Sequence, residues 1–186
     1  MHIKLIQFAA DAGQSASGLF VLPPFTDETV LTKKFYPFGM SAPAGSVIHF
    51  FCDDERYEKL LLYSPDRFLA SCKTNGYLAV MPDFSMWDDV PASVNFSQLL
   101  KATLVGSWLA ANGVSVIPSV SFSKNVIDFS YLTGGLVLFH QLRRGDNART
   151  YQSGAEKLPS CCRSISFGET GEIKNEFIVE MNRRTG

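Results

Sequence analysis

Leu78-Ala79-Val80-Met81-Pro82-Asp83-Phe84-Ser85-Met86-Trp87 is the stretch on which the fold class turns. Its first four residues are apolar without alternation. A strand with one wet face alternates apolar with polar, whereas a strand buried on both faces does not. The run therefore predicts an inner strand of a parallel sheet. Pro82 has no N–H to give to a ladder, so pairing stops there. An acid, a hydroxyl and an indole follow at once, in Asp83, Ser85 and Trp87.

The same pattern recurs on both sides. Val47-Ile48-His49-Phe50-Phe51-Cys52 is an apolar strand followed by Asp53-Asp54-Glu55. Val114-Ser115-Val116-Ile117 stops at Pro118, with Ser119, Ser121 and Ser123 beyond it. After Gly134-Gly135, the strand Leu136-Val137-Leu138-Phe139 delivers His140 and Gln141. Arg163-Ser164-Ile165-Ser166-Phe167 runs into Gly168-Glu169-Thr170-Gly171-Glu172.

Helical spacing fills the intervals. Tyr57, Leu60 and Leu61 share a face, and Ser64-Pro65 reads as an N-cap with proline in the first turn. Phe68, Leu69 and Cys72 continue inward until Asn75-Gly76 closes the helix. After Pro91, Phe96, Leu99, Leu100, Thr103, Leu104, Ser107, Trp108 and Ala111 trace the clearest amphipathic stripe. Asn112-Gly113 closes it. Val126 to Leu132 has no clear period. Arg143-Arg144-Gly145-Asp146 reads as a charged turn, residues 147–158 as a helix, and residues 176–181 as a strand or helix.

Strand and helix alternating at about 30 residues per unit predict an α/β fold with a mostly parallel sheet. A complete eightfold barrel typically takes about 250 residues. The 186 residues here fit a reduced or irregular barrel, or an open sheet. They read as a single domain, with an irregular segment at 1–45 and a repeating core at 46–181. Ile3 to Phe8 reads as a strand. The segments Leu19 to Pro24 and Phe35 to Met40 are rich in aromatics and proline. They predict an extended strap that wraps the domain and buries its rings; an exposed aromatic patch for a partner is the alternative.

Composition narrows the class. Apolar residues make up 46% and charged residues 19%, with a net charge of −1. That balance disfavours nucleic-acid binding, which shows as a basic surplus; Arg183 and Arg184 read as a solvated tail. Cys52, Cys72, Cys161 and Cys162 form no C-x-x-C pair and predict free thiols in a reducing cytosol. No stretch approaches the length of a membrane span, and no signal peptide is evident. The expectation is a soluble, cytoplasmic protein.

Three segments occur in a telling order: residues 51–58 (Phe-Cys-Asp-Asp-Glu-Arg-Tyr-Glu), 81–91 (Met-Pro-Asp-Phe-Ser-Met-Trp-Asp-Asp-Val-Pro) and 113–118 (Gly-Val-Ser-Val-Ile-Pro). Together, over about residues 46–172, they resemble the family called domain of unknown function 4417. Its members carry an acidic motif after an early strand, a Pro-Asp-Phe-Ser motif, and a strand ending in Val-Ile-Pro. The aromatic usual after that last motif is here replaced by Ser119-Val120-Ser121-Phe122. The resemblance implies a phage or mobile-element protein and carries no activity with it.

Parallel α/β folds bind ligands beyond the carboxyl ends of their strands. Asp83 is the first candidate there, as an acid or base or as a ligand. Asp53 and Glu169 are its candidate partners in a carboxylate pair, suited to glycoside hydrolysis or to holding a divalent cation. Ser85, Trp87, Ser119 and His140 are candidate ligand-binding residues. Duller readings stand beside these. Asp83 would brace its loop by accepting N–H bonds from Ser85 or Met86, Asp54 and Glu55 would favour a helix dipole, and His140 and Trp87 would serve packing. No G-x-S-x-G elbow and no P-loop lysine are present. The expectation is an enzyme-like domain with an acid-lined pocket for a small glycoside- or nucleotide-type ligand. The alternative is a non-catalytic accessory or inhibitor protein that binds a host protein through Phe35 and Tyr36.

Overall fold

From Val47 on, the described apolar runs and helical stripes appear in the order the sequence predicts, with strands shorter than expected up to residue 117 and slightly longer after residue 134. The structure, a computed structural model, describes residues 1–140, 157–167 and 173–174. Helix α1 spans Ile3–Asp11 and strand β1 spans Phe35–Pro37. Strand β2 is Val47–His49; a 3-10 turn at Asp54–Arg56 leads into α2, Glu58–Tyr63, and α3, Pro65–Asn75. Strand β3 is Leu78–Val80, helix α4 is Ala92–Ala111 and strand β4 is Val116–Ile117. Strands β5 (Gly135–His140), β6 (Cys162–Phe167) and β7 (Ile173–Lys174) complete the described elements. The charged turn at 143–146, most of the helix expected at 147–158, the turn at 168–172 and the element at 176–181 lie outside the described residues.

Strands β1 to β4 pair in chain order and all in parallel. Beyond β4, Leu138 N–H donates to Pro118 O and Val120 N–H to Leu138 O, which sets β5 alongside. β5 and β6 are parallel over six residue pairs, and β7 turns back antiparallel on β6. Successive parallel neighbours are how a barrel winds, yet this sheet stays open. Among the described residues no pairing joins β1 to β6 or β7.

The missing alternation in the sequence has its explanation in the two faces. Phe35, Val47, Leu78, Val80, Ile117, Leu138 and Ile165 form one apolar cluster with Phe25 and Val30. Their neighbours Ile48, Ala79, Met81, Val116, Val137 and Phe139 belong to a second cluster, which holds the helices. Side chains two apart share a face, so a strand buried on both sides has no polar position to show.

Helix α4 departs from the amphipathic expectation. Residues Ala102 to Leu109 are buried without interruption. One side meets the sheet, and the strap covers another. Gly106 gives Met81 and Leu22 room to approach. Ser107 Oγ donates to Val21 O at 2.5 Å, and Phe20 N–H donates to Thr103 Oγ1 at 3.4 Å. The two hydroxyls on the helix's apolar stripe therefore answer the strap's backbone groups.

The N-terminus needs a correction. Ile3 to Phe8 belongs to a helix, with His2 Nδ1 accepting from Lys4 N–H at its start. Leu5 is buried, and Phe8, Ala9 and Ala12 pack against the core. That is the i, i+3, i+4, i+7 spacing of one helical face. The strap itself is integral to the sheet rather than a wrapping: it supplies β1, and Phe25 O accepts from Leu136 N–H at 2.7 Å. Phe35 is buried and Phe38 stacks on Phe50 at 5.3 Å between centroids. Ser64 holds the cap position of α3 but makes no capping hydrogen bond, while Gly76 takes the left-handed C-cap.

Gly135 sits at φ +81° against the backbone of Phe25, whereas a Cβ on Gly76 at φ +62° would meet open space. Gly135→Ala is expected to lower stability in urea unfolding by at least about 3 kcal/mol, since overpacking and backbone strain add. Gly76→Ala should lose only about 1–2 kcal/mol, the penalty of a left-handed Cβ.

Candidate functional site

The carboxyl ends of β2, β3 and β4 lie side by side, and each sends polar residues past the sheet's rim. From the turn after β2, the Asp54 carboxylate accepts three hydrogen bonds. Ser85 N–H donates to Oδ2 at 2.9 Å, Ser85 Oγ to Oδ1 at 3.1 Å and the Tyr57 hydroxyl to Oδ1 at 2.8 Å. The same hydroxyl lies 2.6 Å from Asp83 O, so its one proton serves two acceptors. Tyr57 is fully buried. Burial, then the hydrogen bond and charge of Asp54, push its phenol far above the usual range, which keeps it a neutral donor.

Asp83 leaves β3 just after Pro82. Its Oδ1 accepts from Ser121 Oγ, beyond β4. Its Oδ2 has no hydrogen-bond partner among the described residues. Burial pushes the carboxyl up to about 6; the Ser121 hydrogen bond opposes that rise and the Asp54 charge adds to it. Tyr131 stands close by, fully buried, donating to Ser119 O at 2.9 Å. Burial and then the Asp83 charge raise its phenol as well. Ser119 Oγ reaches back to Met81 O at 3.1 Å.

Past Ser85, the loop is clamped. Asn95, in the first turn of α4, is fully buried. Its Oδ1 accepts from Trp87 N–H at 3.0 Å, and its Nδ2 donates to Trp87 O at 2.6 Å. The Nδ2 also lies 2.9 Å from both Ser123 Oγ and Asn125 Oδ1. Asn125 Nδ2 donates to Val90 O, and Asp88 accepts from Lys124 N–H at 2.8 Å. That backbone bond and the Lys124 ammonium hold the Asp88 carboxyl below its usual range.

The expected residues separate clearly. Asp83 and Ser85 are in the cluster, and Trp87 is beside it with its side chain exposed. Ser119 is buried and engaged with the backbone of β3. Asp53 is exposed and makes no side-chain cap bond; it is Asp54, one residue on, that meets Ser85 and Asp83. The bracing role weighed for Asp83 is performed by Asp54, which takes the Ser85 N–H. Glu169 and the side chain of His140 lie outside the described residues. Ser121, expected among the polar residues beyond β4, proves to be the partner of Asp83. Tyr57, Asn95, Asn125 and Tyr131 are site residues that the sequence reading misses; of these, Asn95 carries a signal, an amide four residues before Leu99 on the inward stripe.

Among the described residues, no group of three or more His, Cys, Asp or Glu is placed to hold a metal ion. The four cysteines are free thiols. Burial, with Cys161 adding, raises the thiol of Cys162 well above the usual range, which works against a reactive vicinal pair. No helix among the described residues is long and apolar enough to cross a membrane.

Fold and site together define an open α/β domain of successive parallel strands, with a desolvated carboxyl at the strand-end rim. The model of the family described as domain of unknown function (DUF4417) matches residues 15–136, and the chain belongs to that family. The match takes in the strap from residue 15 and ends in β5, so its span is shifted from the 46–172 of the motif resemblance. The chain is 30% identical over 123 residues to the Gene 1 protein of Mycobacterium phage D29, covering 62% of this chain and 45% of that protein. It is 32% identical over 92 residues to the Gene 1 protein of Mycobacterium phage L5, covering 49% of this chain and 39% of that one. The matched stretch thus spans less than half the length of these relatives. No solved structure matches the chain.

Two substitutions separate the acids. Asp54→Ala strands Ser85 N–H and is expected to lower stability by about 2–4 kcal/mol in urea unfolding, while Asp53→Ala should change it by less than about 0.5 kcal/mol. Asp83 behaves oppositely. A folded pKa of about 6 against an ordinary 3.8 means the charged form disfavours folding. Its favourable contribution is complete below pH ~4 and is lost as pH rises through ~6, a swing of about 3 kcal/mol. Asp83→Asn keeps an acceptor for Ser121, so the difference in unfolding free energy between wild type and variant should widen over that window. A constant difference would show that the carboxyl is not desolvated.

Proposed function

We propose that this chain is an enzyme-like α/β domain of a phage or mobile element that binds a small polar ligand at the carboxyl ends of β2 to β4. Asp83 is its acid or base, and the ligand is of glycoside or nucleotide type. The observation that carries this reading is the environment of Asp83. A carboxyl raised to about 6 is poised to give or take a proton near neutrality. One oxygen is anchored by Ser121 and the other has no partner among the described residues. Beside it, both oxygens of Asp54 accept hydrogen bonds, so Asp54 is engaged in the loop while Asp83 keeps an open oxygen. The phage Gene 1 relatives support the origin, and their greater length leaves the activity of a whole protein to experiment.

The accessory reading has less to work with. Phe35 is buried, and Tyr36 and Phe38 are half-buried against the core, so the strap spends these rings on the fold.

A thermal-shift screen of neutral sugars, nucleotides and divalent cations tests the proposal. A true ligand stabilises the state it binds, by about 2.7 kcal/mol at a hundredfold excess over its dissociation constant. At least one member should raise the melting temperature of wild type and have no effect on Asp83→Asn. Equal stabilisation of both proteins, or no stabiliser at all, would sink the reading.

A further inference from the structure

Three serines follow β4 at alternate positions, and each gives its proton to a different kind of acceptor. Ser119 Oγ donates to the carbonyl of Met81, and Ser123 Oγ to the amide oxygen of Asn125 at 2.7 Å. Neither acceptor takes up a proton near neutral pH. Ser121 Oγ donates to a carboxyl, that of Asp83. A hydroxyl beside an acid is common at helix caps, where it has the opposite effect. At the exposed cap of the 3-10 turn at Glu28–Thr32, Thr29 donates to Asp27 and holds that carboxyl below its usual range, which makes it a poorer base. At Asp83 burial outweighs the hydrogen bond, and the affinity for a proton rises. Asp83 is half-buried and Ser121 is 8% exposed, so neither is sealed as Ser119 is at 1%. Both backbones are held. The Tyr57 hydroxyl lies 2.6 Å from Asp83 O, and the Tyr131 hydroxyl donates to Ser119 O, two residues before Ser121. A serine within hydrogen-bond reach of a base that is itself fixed by a third group is how a weak nucleophile is activated.

The geometry points to Ser121 as a nucleophile with Asp83 as its general base, a pair that transfers the acyl group of an ester of a small polar alcohol. This rests on the proposed function, whose ligand becomes the alcohol part of that ester. Glycoside hydrolysis commonly takes two carboxylates flanking the bond. The acid whose charge Asp83 feels, Asp54, already has both oxygens engaged. Phosphoryl transfer draws chiefly on charge stabilisation, whereas a hydroxyl and a proton acceptor are what acyl transfer draws on. Ser121 Oγ bonds to the acyl carbon as its proton passes to Asp83 Oδ1. The ester C–O bond then breaks, and the alcohol leaves with that proton. Water attacks the acyl-serine and gives a proton to Asp83. That proton returns to Ser121 Oγ as the carboxylic acid departs.

The test uses the whole chain and a fluorophosphonate, which traps serine nucleophiles: an Oγ–P bond forms, fluoride leaves and the serine proton goes to the base. Intact mass and peptide mapping of wild type should find a single adduct, on Ser121, and none on the urea-unfolded chain. Asp83→Asn keeps an acceptor for Ser121 but removes the base. It should slow labelling at least about a hundredfold, since general base catalysis contributes about 10²–10⁴. The wild-type rate should rise with pH through about 6, as the Asp83 carboxyl loses its proton. Wild type should hydrolyse p-nitrophenyl acetate, and Ser121→Ala should not. Labelling away from Ser121, or at equal rates in wild type and Asp83→Asn, would overturn the nucleophile. The mapping and the pH profile are read on wild type, so they decide even where a variant fails to fold. Ser121-dependent hydrolysis of bis(p-nitrophenyl) phosphate, without hydrolysis of the acetate, would overturn the acyl class. An unlabelled Ser121 in a protein that a sugar or nucleotide still stabilises through Asp83 would overturn the nucleophile and leave the proposed function standing. No labelling and no Asp83-dependent stabiliser would overturn both.

Discussion

A single carboxylate, that of Asp54, ties the end of β2 to the loop beyond β3. Strands buried on both faces have no polar surface of their own, so their polar partners must gather where the ladders stop. Ser85 N–H leaves β3's ladder with no strand to bond, and Asp54 supplies the acceptor. The Tyr57 hydroxyl, brought in by the same turn, answers both Asp54 and the carbonyl of Asp83. Its ring lies against Phe50 and Phe84, so the polar junction is roofed by aromatics. Low local polarity strengthens satisfied hydrogen bonds and penalises any left open. The junction therefore holds only if every member is present, and Asp83 inherits its desolvation from that packing.

Strand ends in this fold follow a division of labour between acids. Asp54 is consumed by structure and Asp88 by an ion pair, whereas Asp83 retains an oxygen without a protein partner among the described residues. The second clamp, at Asn95, fixes the same loop from the helix side. Between the two clamps, five consecutive residues are held at both ends with little freedom to rearrange. Rigid placement of this kind is what lets a loop act as a site, because the ordering entropy is met on folding rather than on binding.

The architecture was largely legible in the sequence, because it rests on burial and burial writes itself as apolar runs. Pro82 and Pro118 marked strand ends, Asn75-Gly76 marked a cap, and the order of motifs marked the family. What escaped was set by contact rather than by pattern. Whether Asp53 or Asp54 turns inward depends on where the 3-10 turn begins, and neighbouring carboxylates look alike in a sequence. Ile3 to Phe8 was read with a period of two because it is short and apolar, while Leu5, Phe8, Ala9 and Ala12 carried the helical period. The full burial of α4 was hidden because its second cover is the strap, a segment with no period to reveal where it lies.

Asp83 is the point at which stability and chemistry pull apart. An amide there would offer Ser121 the same acceptor without the penalty of a buried charge, so packing alone gives no reason for an acid. The fold instead surrounds a carboxyl with desolvating packing and the charge of Asp54, both of which make ionisation harder, and only the Ser121 hydroxyl opposes them. Local choices that work against the fold while the rest of the chain agrees with it are where function is expected to reside. Fold class adds nothing to that inference, since parallel α/β sheets host many chemistries. The weight falls on one side chain whose protonation changes near neutral pH, at a rim where three strands deliver polar groups and one indole stands uncovered.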